Sequence, residues 1–237
     1  AKYAAHVASA SLGAVTDAYQ PLERSRRITR AVLELLLELR HPLTVVTKSA
    51  LIERDLDLLA GLAHEGLVHV QLSVTTLRPE LARRLEPRAA SPQRRLDTIA
   101  RLSGAGVPVG VLVAPVVPVL TDPELEAILD AARDAGAQSA GYTLLRLPLE
   151  VAELFRAWLE AHAPGQAAHV MARVRDARGG RDNDAAFGRR MVGTGAYAEL
   201  IAQRFALAAR RLGYADLTRL RTDLFRRPAR GGQLSLF

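Results

Sequence analysis

The 237-residue chain contains no cysteine. Disulfides and thiolate metal ligands are therefore impossible within it. Lysine is nearly absent as well: of 32 basic residues only Lys2 and Lys48 are lysines, and the rest are arginines. Aromatic residues make up 5% of the chain, with one tryptophan. No apolar run approaches the roughly 20 residues that span a bilayer, and no signal peptide is visible, so the expected setting is soluble and cytoplasmic. There is no Ser-His-Asp order, no Gly-rich phosphate loop and no HExxH motif. The six histidines (6, 41, 64, 69, 162 and 169) lack metal-ligand spacing and read as structural or solvent-facing.

What is present is an alternation of strand and helix patterns. Strands are expected at 7–12, 43–47, 68–74, 107–115 and 139–145. Helices are expected at 23–40, 51–64, 79–85, 92–103, from Asp122-Pro123 to Gly136, and at 149–162. Ser91 before Pro92 is a helix-start signal, and Gly66 and Gly136 are helix-stop signals. Strand-helix alternation argues a parallel sheet with right-handed crossovers. Five strand units are too few for an eight-fold barrel, so the expected fold is α/β, a partial parallel barrel over residues 1–162. A C-terminal helical extension over 163–214 would follow, then a loosely held basic tail over 215–237.

In such a sheet, ligands bind where loops leave the carboxyl ends of strands. Thr16 and Asp17, Thr47 and Lys48, Ser73 and Thr75, and Ala114-Pro115 fall at four such ends. An ammonium following an apolar strand is costly unless it meets an anion, and Lys48 stands in a chain that otherwise uses arginine. A carboxylate, an ammonium and hydroxyls at one rim suit a zwitterionic ligand, with Asp17 accepting from an α-ammonium and Lys48 pairing with an α-carboxylate. The local pattern also allows Asp17 to close a turn or cap a helix, and Lys48 to lie along the surface.

These stretches together resemble radical S-adenosylmethionine proteins of the group related to DNA repair photolyases and spore photoproduct lyase. The residues concerned are Gly13-x-x-Thr16-Asp17-x-Tyr19-Gln20-Pro21, Val46-Thr47-Lys48-Ser49, Leu72-Ser73-Val74-Thr75-Thr76, the run from Glu86 to Leu96, the run from Gly106 to Val116, and Gly141 to Pro148. The resemblance implies a partial (β/α)6 barrel with S-adenosylmethionine and a 4Fe–4S cluster at the strand carboxyl ends. Thr16 and Asp17 would hold the methionine ammonium. Lys48 would contact the carboxylate, Ser73 the carboxylate or ribose, Arg95 the carboxylate, and Ala114 would lie beside the adenosine. Catalytic residues are not assigned.

Two departures stand out. The family's Cys-x3-Cys-x2-Cys motif belongs before the first strand and has no counterpart here. Ala14-Val15-Thr16-Asp17-Ala18 also stands where the family writes Thr-Asn-Thr-Asp-Pro. The expectation is a member lacking its first βα unit and inactive as given. The alternative is a cluster-less barrel serving as a nucleic-acid or clamp-binding adaptor.

The C-terminal part carries its own signals. Between Arg204 and Arg230 lie eight arginines and two aspartates, +6 of the chain's net +7. Such a concentration suits DNA, with Arg226, Arg227 and Arg230 as candidate contacts, or else a solvated helix face. Gln233-Leu234-Ser235-Leu236-Phe237 resembles the short peptide with which bacterial repair and replication proteins dock on the sliding clamp. Gln233 would give the amide, and Leu234, Leu236 and Phe237 the apolar anchors.

Overall fold

A computed structural model describes residues 8–217 and 219–227. Arg230 and Gln233–Phe237, with the expectations placed on them, lie outside the described residues. Five strands form one parallel sheet in sequential order: β1 (Ala10–Leu12), β2 (Leu43–Thr47), β3 (Val68–Ser73), β4 (Val109–Val116) and β5 (Ser139–Leu144). The expected partial barrel is the architecture observed. Sequential parallel order requires every connection to cross over a face, and the helices between strands do so. β3 and β4 are the strands most buried on both faces, with Val68, Val70, Leu72, Val109 and Val111 all inaccessible. Their continuous apolar sequence reflects that position.

The helices are α1 (Glu23–Arg26), α2 (Ile28–Glu38), α3 (Leu56–His64), α4 (Pro79–Leu85), α5 (Pro92–Gly104), α6 (Leu125–Asp134), α7 (Val151–His162), α8 (Ala167–Asp176) and α9 (Ala196–Arg211). Start signals written in local chemistry are realised: the Ser91 hydroxyl accepts the Arg94 amide at 3.3 Å, with Pro92 in the first turn. Three elements are less regular than periodicity suggests. The single helix expected over 23–40 breaks at Arg27, which takes a left-handed conformation at φ 51°. Short 3-10 turns at Ala50–Asp55 and Asp122–Glu124 lead into α3 and α6.

The extension expected over 163–214 divides between two cores. α7 and α8 close a small cluster of their own around Leu159, Val170, Met171 and Val174, under the loop that follows β4. α9 instead joins the barrel's main core through Tyr197, Ala198, Ile201 and Ala208. It is pinned to α6 by Arg204, whose Nε and Nη2 donate to the two oxygens of Glu126 at 2.8 and 2.6 Å.

The tail expected to be loose is docked at residues 215, 221 and 226. The Ala215 amide donates to the Gln138 carbonyl at 2.9 Å, Arg221 to Gly66 at 3.0 Å, and Arg226 to Leu39 at 2.8 Å. Phe225 packs edge-on against His41 with ring centroids 5.0 Å apart. Gln138, Gly66 and Leu39 each precede a strand, so this segment crosses the amino-end face of the sheet.

Candidate functional site

The loop after β1 is shaped by its first residue. Gly13 has φ +86°, and a Cβ there would lie 1.9 Å from the Val46 carbonyl oxygen. Only glycine allows the chain to turn this closely over β2. Four residues later Asp17 is fixed by three donors. Its Oδ1 accepts the Thr47 hydroxyl at 2.6 Å and the Tyr19 amide at 2.8 Å, and its Oδ2 accepts the Lys48 amide at 2.8 Å. The carboxylate therefore does what the turn-closing reading anticipated, stitching the β1 loop to the end of β2. A carboxylate offers about four acceptor positions, so one remains.

Lys48 continues from β2 into the rim, and its ammonium pairs with Glu86. Glu86 directly follows α4 and gathers the surrounding strand ends. Its Oε2 accepts from Arg95 Nη2 at 2.7 Å, and its Oε1 lies 3.0 Å from the Thr75 hydroxyl. Arg95 is only 2% exposed and also donates to the carbonyls of Ser73 at 3.0 Å and Ala90 at 2.8 Å. The Thr75 hydroxyl stands 2.9 Å from the Ala114 carbonyl as well, and its single proton serves one acceptor at a time. Burial alone would push the Glu86 carboxyl up. The charges of Lys48 and Arg95, with their hydrogen bonds, outweigh that and hold it below the usual carboxylate range.

Beside this network opens a cavity of about 1030 Å³, whose lining includes Asp17, Tyr19, Lys48, Glu86, Arg88 and Arg94. Arg94 is itself engaged, donating to both oxygens of Glu53 at 2.5 and 2.8 Å. The structure thus brings Asp17 and Lys48 to one cavity. Arg95, Ser73 and Ala114 connect to it from behind, through Glu86 and Thr75. Thr16 is exposed and does not line the cavity. Glu86 escaped the sequence reading, although it opens the quoted Glu86–Leu96 stretch. The available signal was Arg95 itself: an arginine expected inside needs a carboxylate.

The candidate nucleic-acid residues lie elsewhere. Arg226 is held against Leu39 on the amino-end face, opposite the rim, and Arg227 follows it there. Of the eight arginines counted between 204 and 230, Arg204, Arg211 and Arg221 form ion pairs with Glu126, Asp130 and Asp223. The charge concentration is therefore partly neutralised in the fold. The described residues contain no group of three His, Cys, Asp or Glu side chains that could hold a metal ion, and no helix long and apolar enough to cross a membrane.

Comparison with known proteins agrees with this geometry. An uncharacterized protein of Mycobacterium tuberculosis is 35% identical over 156 residues, covering 65% of this chain and 46% of the relative. One from Methanocaldococcus jannaschii is 30% identical over 113 residues, covering 48% of this chain and 42% of the relative. The chain thus spans less than half the length of these curated relatives. Among solved structures, spore photoproduct lyase complexed with dinucleoside spore photoproduct matches with TM-score 0.55 at 16% identity, over 89% of this chain and 59% of that one. A variant of that lyase with AdoMet and the same dinucleoside bound matches equally. At this identity the likeness shows the fold. The family model described as Radical SAM superfamily matches residues 8–132. With more than half of its length matched by that model, the chain belongs to the Radical SAM superfamily.

Proposed function

We propose that this chain forms the S-adenosylmethionine-binding rim of a radical S-adenosylmethionine enzyme that acts on DNA. The observation that carries the reading is the placement of Asp17 and Lys48 on one cavity, in a chain of this superfamily. The fit to the ligand rests on three features. The cavity volume is at the upper end of the range for small-molecule sites. Asp17 keeps an acceptor position for an α-ammonium. Lys48, about a third exposed, can turn from Glu86 toward an α-carboxylate. Arg95 and Glu86 position Lys48, while Ser73 and Ala114 support the network through their carbonyls. Bound S-adenosylmethionine supplies hydrogen-atom abstraction chemistry in this family.

The 4Fe–4S cluster does not fit the residues present, because it takes cysteine thiolates and the chain has none. The reading therefore requires thiolates from outside these 237 residues. DNA as substrate is inferred from the lyase neighbours, which are complexed with a dinucleoside spore photoproduct. The lesion is not specified by fold likeness. A cytoplasmic location belongs to the same reading.

The test is anaerobic reconstitution of the full-length protein followed by assay for 5′-deoxyadenosine. Its formation supports the enzyme. A reconstituted protein that forms none, yet binds nucleic acid, supports the alternative of a cluster-less adaptor, which the missing cysteines favour. Docking of Gln233–Phe237 on a sliding clamp rests on sequence alone. A peptide of the last ten residues without affinity for purified clamp removes that idea.

A further inference from the structure

The loop that leaves α8 returns to the carboxyl end of β5, the strand at the opposite end of the sheet from β1. Arg178 holds it there. This guanidinium is 2% exposed and donates to four carbonyls: Leu144 at 3.1 Å, Leu145 at 2.8 Å, Arg189 at 3.2 Å and Arg190 at 2.8 Å. The Leu144 amide donates to Met191 at 2.8 Å, adding a backbone tie. The loop is therefore fixed at the rim and not loosely draped over it.

What it presents there is unusual for a structural loop. Phe187 is 91% exposed, the largest exposure of any aromatic ring among the described residues, and the Arg190 guanidinium covers it at 5.6 Å. An exposed ring costs solvation without contributing to the core. Two arginines of the loop are left without an anionic partner. Arg181 and Arg190 form no ion pair among the described residues, whereas Asp182 and Asp184 are already taken by Arg156, Arg175 and Arg189. Arg146, just past the end of β5, has its one side-chain contact among the described residues with the Met191 sulfur, 4.0 Å away, and its buried Nε has no partner among them. The Asn183 side-chain oxygen is likewise buried without one. Burial, and then the like charge of Arg146, depress the Arg178 pKa, with Asp184 acting against them.

We infer that residues 181–192 form a binding surface for an unpaired DNA strand, with Phe187 stacking on a base and Arg146 and Arg190 contacting phosphates. A flat exposed ring offers a sequence-tolerant platform for a base, and arginine beside it matches phosphate geometry. Among the described residues, no acidic partner competes for Arg146 or Arg190. The inference rests on the reading of DNA as substrate, and it moves the DNA contact from the basic C-terminal stretch to the same face as the candidate cavity.

The test is fluorescence anisotropy of a labelled single-stranded DNA oligomer with the full-length protein, over a series of salt concentrations. Phe187→Ala should weaken binding about tenfold and leave the salt dependence intact, because stacking is uncharged. Arg146→Ala with Arg190→Ala should flatten the log–log salt slope by about 1.4, two contacts at roughly 0.7 each. Arg226→Ala, on the opposite face, should change neither. Circular dichroism and S-adenosylmethionine affinity, unchanged in every variant, establish that the fold is intact. Wild-type affinity in Phe187→Ala overturns the inference, as does no binding by the unmutated protein, tighter binding of a duplex, or preference for RNA of the same sequence. Loss of oligomer binding in the loop variants, in a protein that binds no S-adenosylmethionine, leaves the loop assignment standing and removes the cavity assignment.

Discussion

Lys48 and Glu86, 38 residues apart in sequence, form an ion pair at the carboxyl rim that ties the end of β2 to the segment after α4. The pair joins a cation on the cavity to the buried Arg95, because one carboxylate serves both. Glu86 is thus the residue on which the shape of the rim depends most.

Removing that carboxylate should therefore be costly. Glu86→Ala leaves Arg95 buried with only two carbonyl partners. Breaking a buried pair on one side typically costs about 3 kcal/mol. Urea unfolding should show a lower midpoint with an unchanged slope. A midpoint equal to that of the unmutated protein would show that Arg95 is satisfied without Glu86.

The same carboxylate sets a pH dependence. Its pKa in the folded protein lies below the ordinary 4.5, so its contribution is full above that value and is lost as pH falls through the folded value. His69, whose pKa burial lowers from 6.5, adds an earlier loss that begins as pH falls below 6.5. Stability measured from pH 8 to pH 3 should decline in these two stages. Glu86→Gln should reduce the lower stage only, which Glu53, Glu65 and Glu126 share, and His69→Gln the upper stage only. An unaltered lower stage in Glu86→Gln would assign that titration to other carboxylates.

Gly13 gives a prediction about the backbone. Gly13→Ala places a methyl against the Val46 carbonyl and asks alanine to adopt a left-handed φ. The strain is on the order of 1–3 kcal/mol and should be relieved by lifting the loop, which breaks the Asp17 contacts to Thr47 and Lys48. Amide hydrogen exchange at Tyr19 and Lys48 should accelerate while the core amides of β3 stay protected. Unchanged exchange at both positions would mean that the loop is not held in this way.

Asp17 can be separated from a purely ligand-binding role by the same method. Asparagine keeps the shape of the side chain but replaces one acceptor oxygen by a donor, which would face either the Lys48 amide or the Tyr19 amide, both donors themselves. Leaving a buried donor unpaired costs about 1–3 kcal/mol. Asp17→Asn should loosen the loop even without ligand. An effect seen only when ligand is added would confine Asp17 to binding.

The sheet and most helices were legible because their signals are local. Alternation of apolar runs gave the parallel order, and Ser91 with Pro92 marked the start of α5. The break at Arg27 was not legible, since a left-handed arginine has no sequence signature. Docking of Ala215, Arg221 and Arg226 was hidden for a related reason: its ties are backbone hydrogen bonds, such as Arg221 to Gly66, which a residue of almost any type can make. At the site, Asp17 and Lys48 were legible from strand ends. Glu86 was not, because its role arises only when α4 and α5 fold against β2. The basic stretch is partly neutralised in a way that no residue count shows. Arg204 and Arg211 are charges in a sequence count, but in the fold they meet the acidic face of α6.

The central claim is that Lys48, beside Asp17, receives S-adenosylmethionine. Calorimetric titration of S-adenosylmethionine into the full-length, cluster-loaded protein and its Lys48→Ala variant tests it most directly. Loss of a charge-assisted contact costs about 1.5–3 kcal/mol, so affinity should fall roughly ten- to hundredfold while the unfolding free energy stays within about 1 kcal/mol. Equal affinity in the two proteins would contradict the claim.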